Sequence, residues 1–404
     1  MTSYLTHLEC SNCSSAYSAE VEQHLCAACG GILLARYDLA RIRAEVPREV
    51  IEARPWSEGL WRYAELLPVS GTEARVTLGE GATPLLPLDR LSEELDVEVW
   101  LKDEGLNPTG TFKARGAAVG VSRAKELGAE TIALPTAGNA GAAWAAYGAR
   151  AGLPVVVAMP KDAPPLTQQE VRVYGARLHL VDGLISDAGR WVGEGVREHG
   201  WYDASTFKEP YRLEGKKTLG LEIAEQLAWR APDVILYPTG GGVGLIGLWK
   251  AFLELAELGW LTSDKPPRLV AVQSTGCAPV VRAWEHGESA TRFWEGASTV
   301  AAGLRVPGPI SGPLMLRALR ETGGTALAVD DADIRRGLGG MSRLGFWVCP
   351  EGAALLPALR RLRGEGWVKP GERVVLLNTG AGLVYPEVEA EEGLLGRGTR
   401  DDGM

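Results

Sequence analysis

The sequence has no run approaching the ~20 consecutive apolar residues that a membrane span needs, so no crossing of a bilayer is expected. Its start, M-T-S-Y-L-T-H-L-E-C, has neither the basic nor the apolar region of a secretory signal. Basic charge is not in excess: 42 Lys and Arg stand against 51 Asp and Glu, a formal net charge of −9. The broad basic footprint of a nucleic-acid binder is therefore missing. Small anionic substrates stay open, because local dipoles and a few basic side chains suffice for them. No internal repeat is visible, which removes solenoid architectures. These absences leave a cytoplasmic protein of 404 residues, 46% hydrophobic, with enough core for two or three domains.

Cysteine is scarce and unevenly placed. Of six, Cys10, Cys13, Cys26 and Cys29 crowd the start, while Cys277 and Cys349 stand alone and read as small core residues. The first four form two C-x-x-C knuckles twelve residues apart, followed by Gly30 and Gly31, which suit a tight turn. Such knuckles can gather four thiolates around zinc. Four cysteines leave no open coordination position, so the metal would be structural. A disulfide pair is the alternative, and nothing in the sequence points to an oxidising compartment.

Residues 107–116 read N-P-T-G-T-F-K-A-R-G. Asn107, Pro108 and Gly110 suit a type I turn, and Thr109 or Thr111 could cap a helix that runs on through Lys113 and Arg115. A lysine in a first helical turn meets the positive end of the macrodipole, which favours a neutral, nucleophilic amine. A solvated surface lysine is the bland alternative.

Beyond it, short apolar runs alternate with helical patterns. Residues 97–103, 131–135, 154–160, 177–181, 233–238, 268–273 and 373–378 read as strands, with helices between them. This alternation predicts an α/β fold of doubly wound parallel sheets, with functional loops at the carboxyl ends of strands. Four loops follow strands and are expected to share one sheet edge. Thr136, Ala137, Gly138 and Asn139 open a helix whose amides could hold a carboxylate; alternatively Asn139 is only its cap. Residues 238–247, P-T-G-G-G-V-G-L-I-G, offer Gly240, Gly241, Gly242, Val243 and Gly244 as a phosphate cradle. The G-x-G-x-x-G within it is a weak dinucleotide signal, and the next strand ends in Gln273 and Ser274 with no carboxylate for a ribose. Thr379 lies just past the last strand. Residues 205–218 are locally basic, with Lys208, Arg212, Lys216 and Lys217. Residues 78–88, L-G-E-G-A-T-P-L-L-P-L, read as a loop and a short strand, and Glu351 begins a helix where the dipole favours an acid.

Taken together these motifs resemble the fold-type II pyridoxal-phosphate enzymes, and among them the threonine synthases, whose lysine motif is N-P-T-G-S-F-K-D-R-G. The resemblance runs from the cysteine knuckles to Thr379 and implies a tryptophan synthase β-like fold. It assigns residues 1–45 to a zinc-ribbon-like module, 46–112 and 190–390 to a large cofactor domain, 113–189 to a small domain and 391–404 to a disordered tail. By the same resemblance Lys113 carries pyridoxal 5′-phosphate as a Schiff base and is the catalytic base, and Asn139 bonds the ring hydroxyl. The loop from Gly240 to Gly244 binds the cofactor's phosphate, Thr379 meets the pyridine nitrogen, and Thr136, Ala137, Gly138 and Arg212 hold the substrate. The implied reaction converts O-phosphohomoserine and water to threonine and phosphate, in a homodimer with no membrane or nucleic-acid partner. Ala114, Thr206 and Glu209 replace an Asp and two Asn of the family pattern. They keep open a relative acting on serine- or phosphoserine-like substrates, as threonine dehydratase and cysteate synthase do. A third reading, a zinc-ribbon binding protein with an inactive body, has only Arg36, Arg41 and Arg43 as basic residues in the module.

Overall fold

In the computed structural model, residues 2–263 and 265–388 are described; the expected tail at 391–404 lies outside them. The apolar runs become strands. In chain order these are β1 (Leu5–Cys10), β2 (Ala16–Tyr17), β3 (Leu33–Tyr37), β4 (Leu85–Pro87), β5 (Glu98–Asp103), β6 (Ile132–Pro135), β7 (Val155–Pro160), β8 (Arg177–Val181), β9 (Tyr202–Asp203), β10 (Val234–Pro238), β11 (Arg268–Ser274), β12 (Thr325–Val329) and β13 (Arg373–Asn378). Every residue of β7 and β10 is buried, as expected of strands covered on both faces.

The chain divides into two units. The first holds the described residues up to 83, with 107–231 and 243–266; the second holds 84–106, 232–242 and those from 267 on. The first contains an antiparallel sheet β2-β1-β3 and a parallel sheet β8-β7-β6-β9. The second contains a six-stranded sheet, β12-β11-β10-β13-β5-β4, parallel except for β4. Pro87 ends β4 at the sheet edge, where a missing donor costs nothing.

The expectation of one shared sheet edge is corrected. The loops after β10 and β13, neighbours in register, belong to the six-stranded sheet. Those after β6 and β9 belong to the four-stranded one. β9 is only Tyr202–Asp203, too short to show a period in sequence. Also unforeseen are β12 and the helix Gly312–Glu321. The helix expected to begin at Glu351 breaks at Ala354 into Pro350–Ala353 and Leu355–Gly364.

In the first unit, the helices Lys113–Glu126, Arg212–Gln226 and Val243–Leu258 pack together, which is why they group with one another. Their approach is set by glycines. A Cβ on Gly215 would lie 2.0 Å from the Arg115 carbonyl oxygen, and one on Gly116 would lie 2.9 Å from that of Arg212. Gly247 lies equally tight: its Cβ would be 3.0 Å from the Lys217 amide. The third glycine of the G-x-G-x-x-G pattern thus serves helix packing, with no dinucleotide needed. At this crossing Arg115, fully buried, pairs bidentately with Glu222 at 2.6 and 2.7 Å and reaches Thr218 and Thr83.

Gly215→Ala should lower stability by about 1–3 kcal/mol, because the added methyl has nowhere to go. Gly193→Ala, in the helix Ile185–His199 with nothing within 4 Å, should instead stabilise by roughly 0.5–1 kcal/mol. Urea unfolding midpoints check both; equal effects of the two would contradict this packing.

Candidate active site

The turn before Lys113 differs from the one expected. Gly110 donates to the Asn107 carbonyl at 2.9 Å, but Thr109 sits at φ 64°, ψ 18°, which a type I turn does not allow. A non-glycine residue in the left-handed region stores strain of order 1 kcal/mol and points to a functional loop. Neither threonine caps the helix. Its cap is Phe112, Thr111 Oγ1 reaches only the Lys113 amide at 3.4 Å, and the Thr109 hydroxyl is buried with no hydrogen-bond partner. Lys113 is the first helical residue, and its amine lies 4.3 Å from the centre of the Phe112 ring. Ala114 is fully buried, so the aspartate of the family pattern would need a partner there that alanine does not.

The G-E-G-A-T loop belongs to the same scaffold. The Gly81 amide donates to Asn107 Oδ1 at 3.0 Å and the Ala82 amide to Glu222 Oε1 at 2.9 Å. Glu80, wholly buried, accepts from Tyr147 and the Leu78 amide, and burial raises its pKa.

Past β6, Thr136 Oγ1 accepts from the Gly138 amide at 3.1 Å and the helix Asn139–Ala151 begins. Its cap is Gly138, so Asn139 is the first helical residue and not the cap. Thr136, Ala137, Gly138 and Asn139 therefore stand at a helix N-terminus whose first amides lack intrahelical partners.

Past β9, Arg212 is deeply committed. It donates to Thr206 Oγ1 at 3.1 Å and to the Ala204 carbonyl, lies 3.6 Å from Glu209 Oε2, and covers the Trp144 ring at 4.9 Å. Glu209, buried, also accepts the amides of Tyr211 and Arg212 at 2.8 Å each. Burial raises the Glu209 pKa and lowers that of Arg212. Lys217 is locked in a buried cluster with Glu214, Lys250 and Glu254. Sequence reasoning missed both arrangements; Glu254, the partner of Lys217 on the next helix, carries no motif.

In the second unit, the chain leaves β10 through Gly240 and Gly242 and enters the helix at Val243. A Cβ on Gly240 would meet the Gly303 carbonyl at 2.1 Å, and Gly242, at φ 75°, would meet Met315 Sδ at 2.1 Å. Gln273 pins the loop's start, donating to the Thr239 carbonyl at 3.1 Å while accepting two amides. Glu351 Oε1 accepts the Gly303 amide at 2.6 Å, so it braces the segment that backs the loop. Thr379, at the end of neighbouring β13, is nearly buried. Cys349 Sγ lies 3.6 Å from its hydroxyl and 3.5 Å from Asn378 Oδ1, a contact sequence did not suggest. Burial raises the Cys349 pKa well above its usual range, so it remains a thiol.

Each of these features, taken by itself, suits one part of a phosphorylated pyridine aldehyde. A glycine backbone loop running into a helix N-terminus suits a phosphate. A hydroxyl at the adjacent strand end suits a neutral ring nitrogen, and a lysine at the head of a helix suits the aldehyde.

The chain belongs to the pyridoxal-phosphate dependent enzyme family, whose model matches residues 76–380, and that match makes it a pyridoxal-phosphate enzyme. Its relatives narrow the class to threonine synthases. It is 37% identical to the threonine synthase of Methanosarcina acetivorans over 94% of this chain and 93% of that one. It is 35% identical to that of Methanocaldococcus jannaschii, with the same coverage. Among solved structures, diaminopropionate ammonia lyase from Escherichia coli, in complex with an aminoacrylate-PLP azomethine reaction intermediate, has a TM-score of 0.65. It is 20% identical over 77% of this chain and 88% of that one, a likeness of fold. No helix among the described residues is long and apolar enough to cross a membrane.

The four N-terminal sulfurs lie within 4.8 Å of one another. Cys10 and Cys29 are 3.4 Å apart, Cys13 and Cys26 3.5 Å. Zinc with bonds of ~2.3 Å in a tetrahedron sets sulfurs about 3.8 Å apart, whereas a disulfide needs ~2.05 Å. The thiols therefore fit a metal better than disulfides. Metal analysis should find one zinc per chain. Chelation, or Cys13→Ser, should lower the melting temperature; a protein equally stable without metal would contradict a structural role.

Proposed function

We propose that this chain is a threonine synthase, converting O-phosphohomoserine and water to threonine and phosphate. The observation that carries the reading is the likeness to threonine synthases along nearly the whole chain. Within it, Lys113, Asn139 and Thr379 and the loop Gly240, Gly241, Gly242, Val243, Gly244 are the residues we assign to the cofactor. Pyridoxal phosphate, when bound, supplies an electron sink for charge developing beside the substrate's amino group. The protein does the rest. The Thr136, Ala137 and Gly138 segment holds the substrate carboxylate by its amides, fixing which bond at Cα is broken. Lys113, as a free amine, would take the proton from Cα and move one at Cβ; its place at a helix head favours the neutral amine this requires. Phosphate departs from Cγ with the bonding pair, Cγ takes up a proton to become the methyl group, water adds its hydroxyl at Cβ, and Cα regains a proton. Arg212 stands at the substrate end. We place the enzyme in the cytoplasm as a homodimer.

One observation favours a second reading. The Glu209 carboxylate neutralises Arg212, the cation expected at a phosphate. A β-eliminating relative acting on serine, which carries no phosphate, needs less positive charge there.

The purified protein with pyridoxal phosphate should release threonine and inorganic phosphate in equal amounts from O-phosphohomoserine. Lys113→Ala should lose at least about a thousandfold in rate while staying folded. Turnover of serine with none of O-phosphohomoserine would move the assignment to the second reading.

A further inference from the structure

Lys216 stands one helical turn after Arg212, on the same face of the helix Arg212–Gln226. It is 3% exposed. Its ammonium donates to the Lys113 carbonyl at 3.0 Å and lies 4.9 Å from the centre of the Phe112 ring, the ring that the Lys113 amine also covers. Glycine makes the place: a Cβ on Gly116 would lie 2.5 Å from the Lys216 amine, and one on Gly247 would lie 3.2 Å from the Lys216 Cβ. Two helices are thus shaped to admit a lysine here, beside the reactive one.

Charge explains why. Arg212 is balanced by Glu209, and its guanidinium already serves Thr206, the Ala204 carbonyl and the face of Trp144. To grip a phosphate in its forked geometry it would have to abandon those contacts. Lys216 is a compact ammonium, a point charge that binds an anion without a fixed orientation. Lys113 is the group proposed to work at Cα and Cβ, so the Cγ-linked leaving group must come close to it.

The geometry points to Lys216 as the cation that meets the substrate's phosphate in this chain, with Glu209 holding Arg212 as part of the wall. The role rests on the phosphorylated substrate of the reading above. It goes beyond that reading in moving recognition of the leaving group one turn along the helix.

Inorganic phosphate is the probe, titrated calorimetrically into the cofactor-loaded protein, alongside KM for O-phosphohomoserine. Lys216→Met should weaken phosphate binding and raise KM by about ten- to a hundredfold, with kcat changed less, and Lys216→Arg should restore much of the loss. Lys216→Gln gives the same reading should the Met variant fail to hold cofactor. Phosphate binding that survives loss of the Lys216 charge, and disappears only in Arg212→Met, overturns the assignment, as does wild-type protein that binds no phosphate at millimolar concentration. Should the wild type bind phosphate through Lys216 yet not turn over O-phosphohomoserine, the functional reading falls and this contact stands.

Discussion

One buried ion pair in the first unit, Arg115 with Glu222, joins the helices that begin at Lys113 and Arg212. Neither side chain is exposed to water. Burying two charges is costly, and such a pair is tolerable only when its hydrogen bonds are filled. Here Thr218 and Thr83 take further guanidinium N–H groups, and Glu222 also accepts the Ala82 amide. Removing either partner would leave a buried charge at a cost of about 3–5 kcal/mol. The pair therefore specifies position more than it adds stability. It holds the helix that begins at Lys113, the glycine-rich loop at 79–82 and the helix that begins at Arg212 in one register.

Glycine sets the distances that the ion pair makes directional. Gly116, Gly215 and Gly247 let three helices come close enough for main-chain atoms to touch. That closeness brings Lys216 to the Lys113 carbonyl. The four-cysteine module is tied to the same scaffold: the Ala19 carbonyl accepts from Arg123, on the lysine helix, and from the Tyr211 hydroxyl at 3.3 Å. In the second unit the parallel strands β10 and β13 set a glycine loop and a hydroxyl side by side, and Glu351 braces the first through Gly303.

Much of this was legible in the sequence. The parallel strands announce themselves as short apolar runs between helical patterns, and β13 runs over the very residues expected, Arg373–Asn378. The lysine turn, the glycine loop and the cysteine knuckles are visible because backbone geometry and ligand number demand particular residue types. What stayed hidden depends on pairing. Nothing local says that Glu209 takes Arg212, that Lys217 belongs to a buried cluster, or that Cys349 lies against Thr379. β9 escaped because two residues carry no period, and the Thr109 conformation because threonine is a poor residue for it. Of two adjacent lysines, Lys216 and Lys217, only the fold decides which reaches the Lys113 carbonyl.

The central claim is that Lys113 is the amine that holds the cofactor. Borohydride reduction of the yellow, cofactor-loaded protein, followed by digestion and mass spectrometry, tests it directly. The account predicts a single pyridoxyl adduct, on the peptide lysine at position 113. An adduct on Lys216, or none on either, would contradict it.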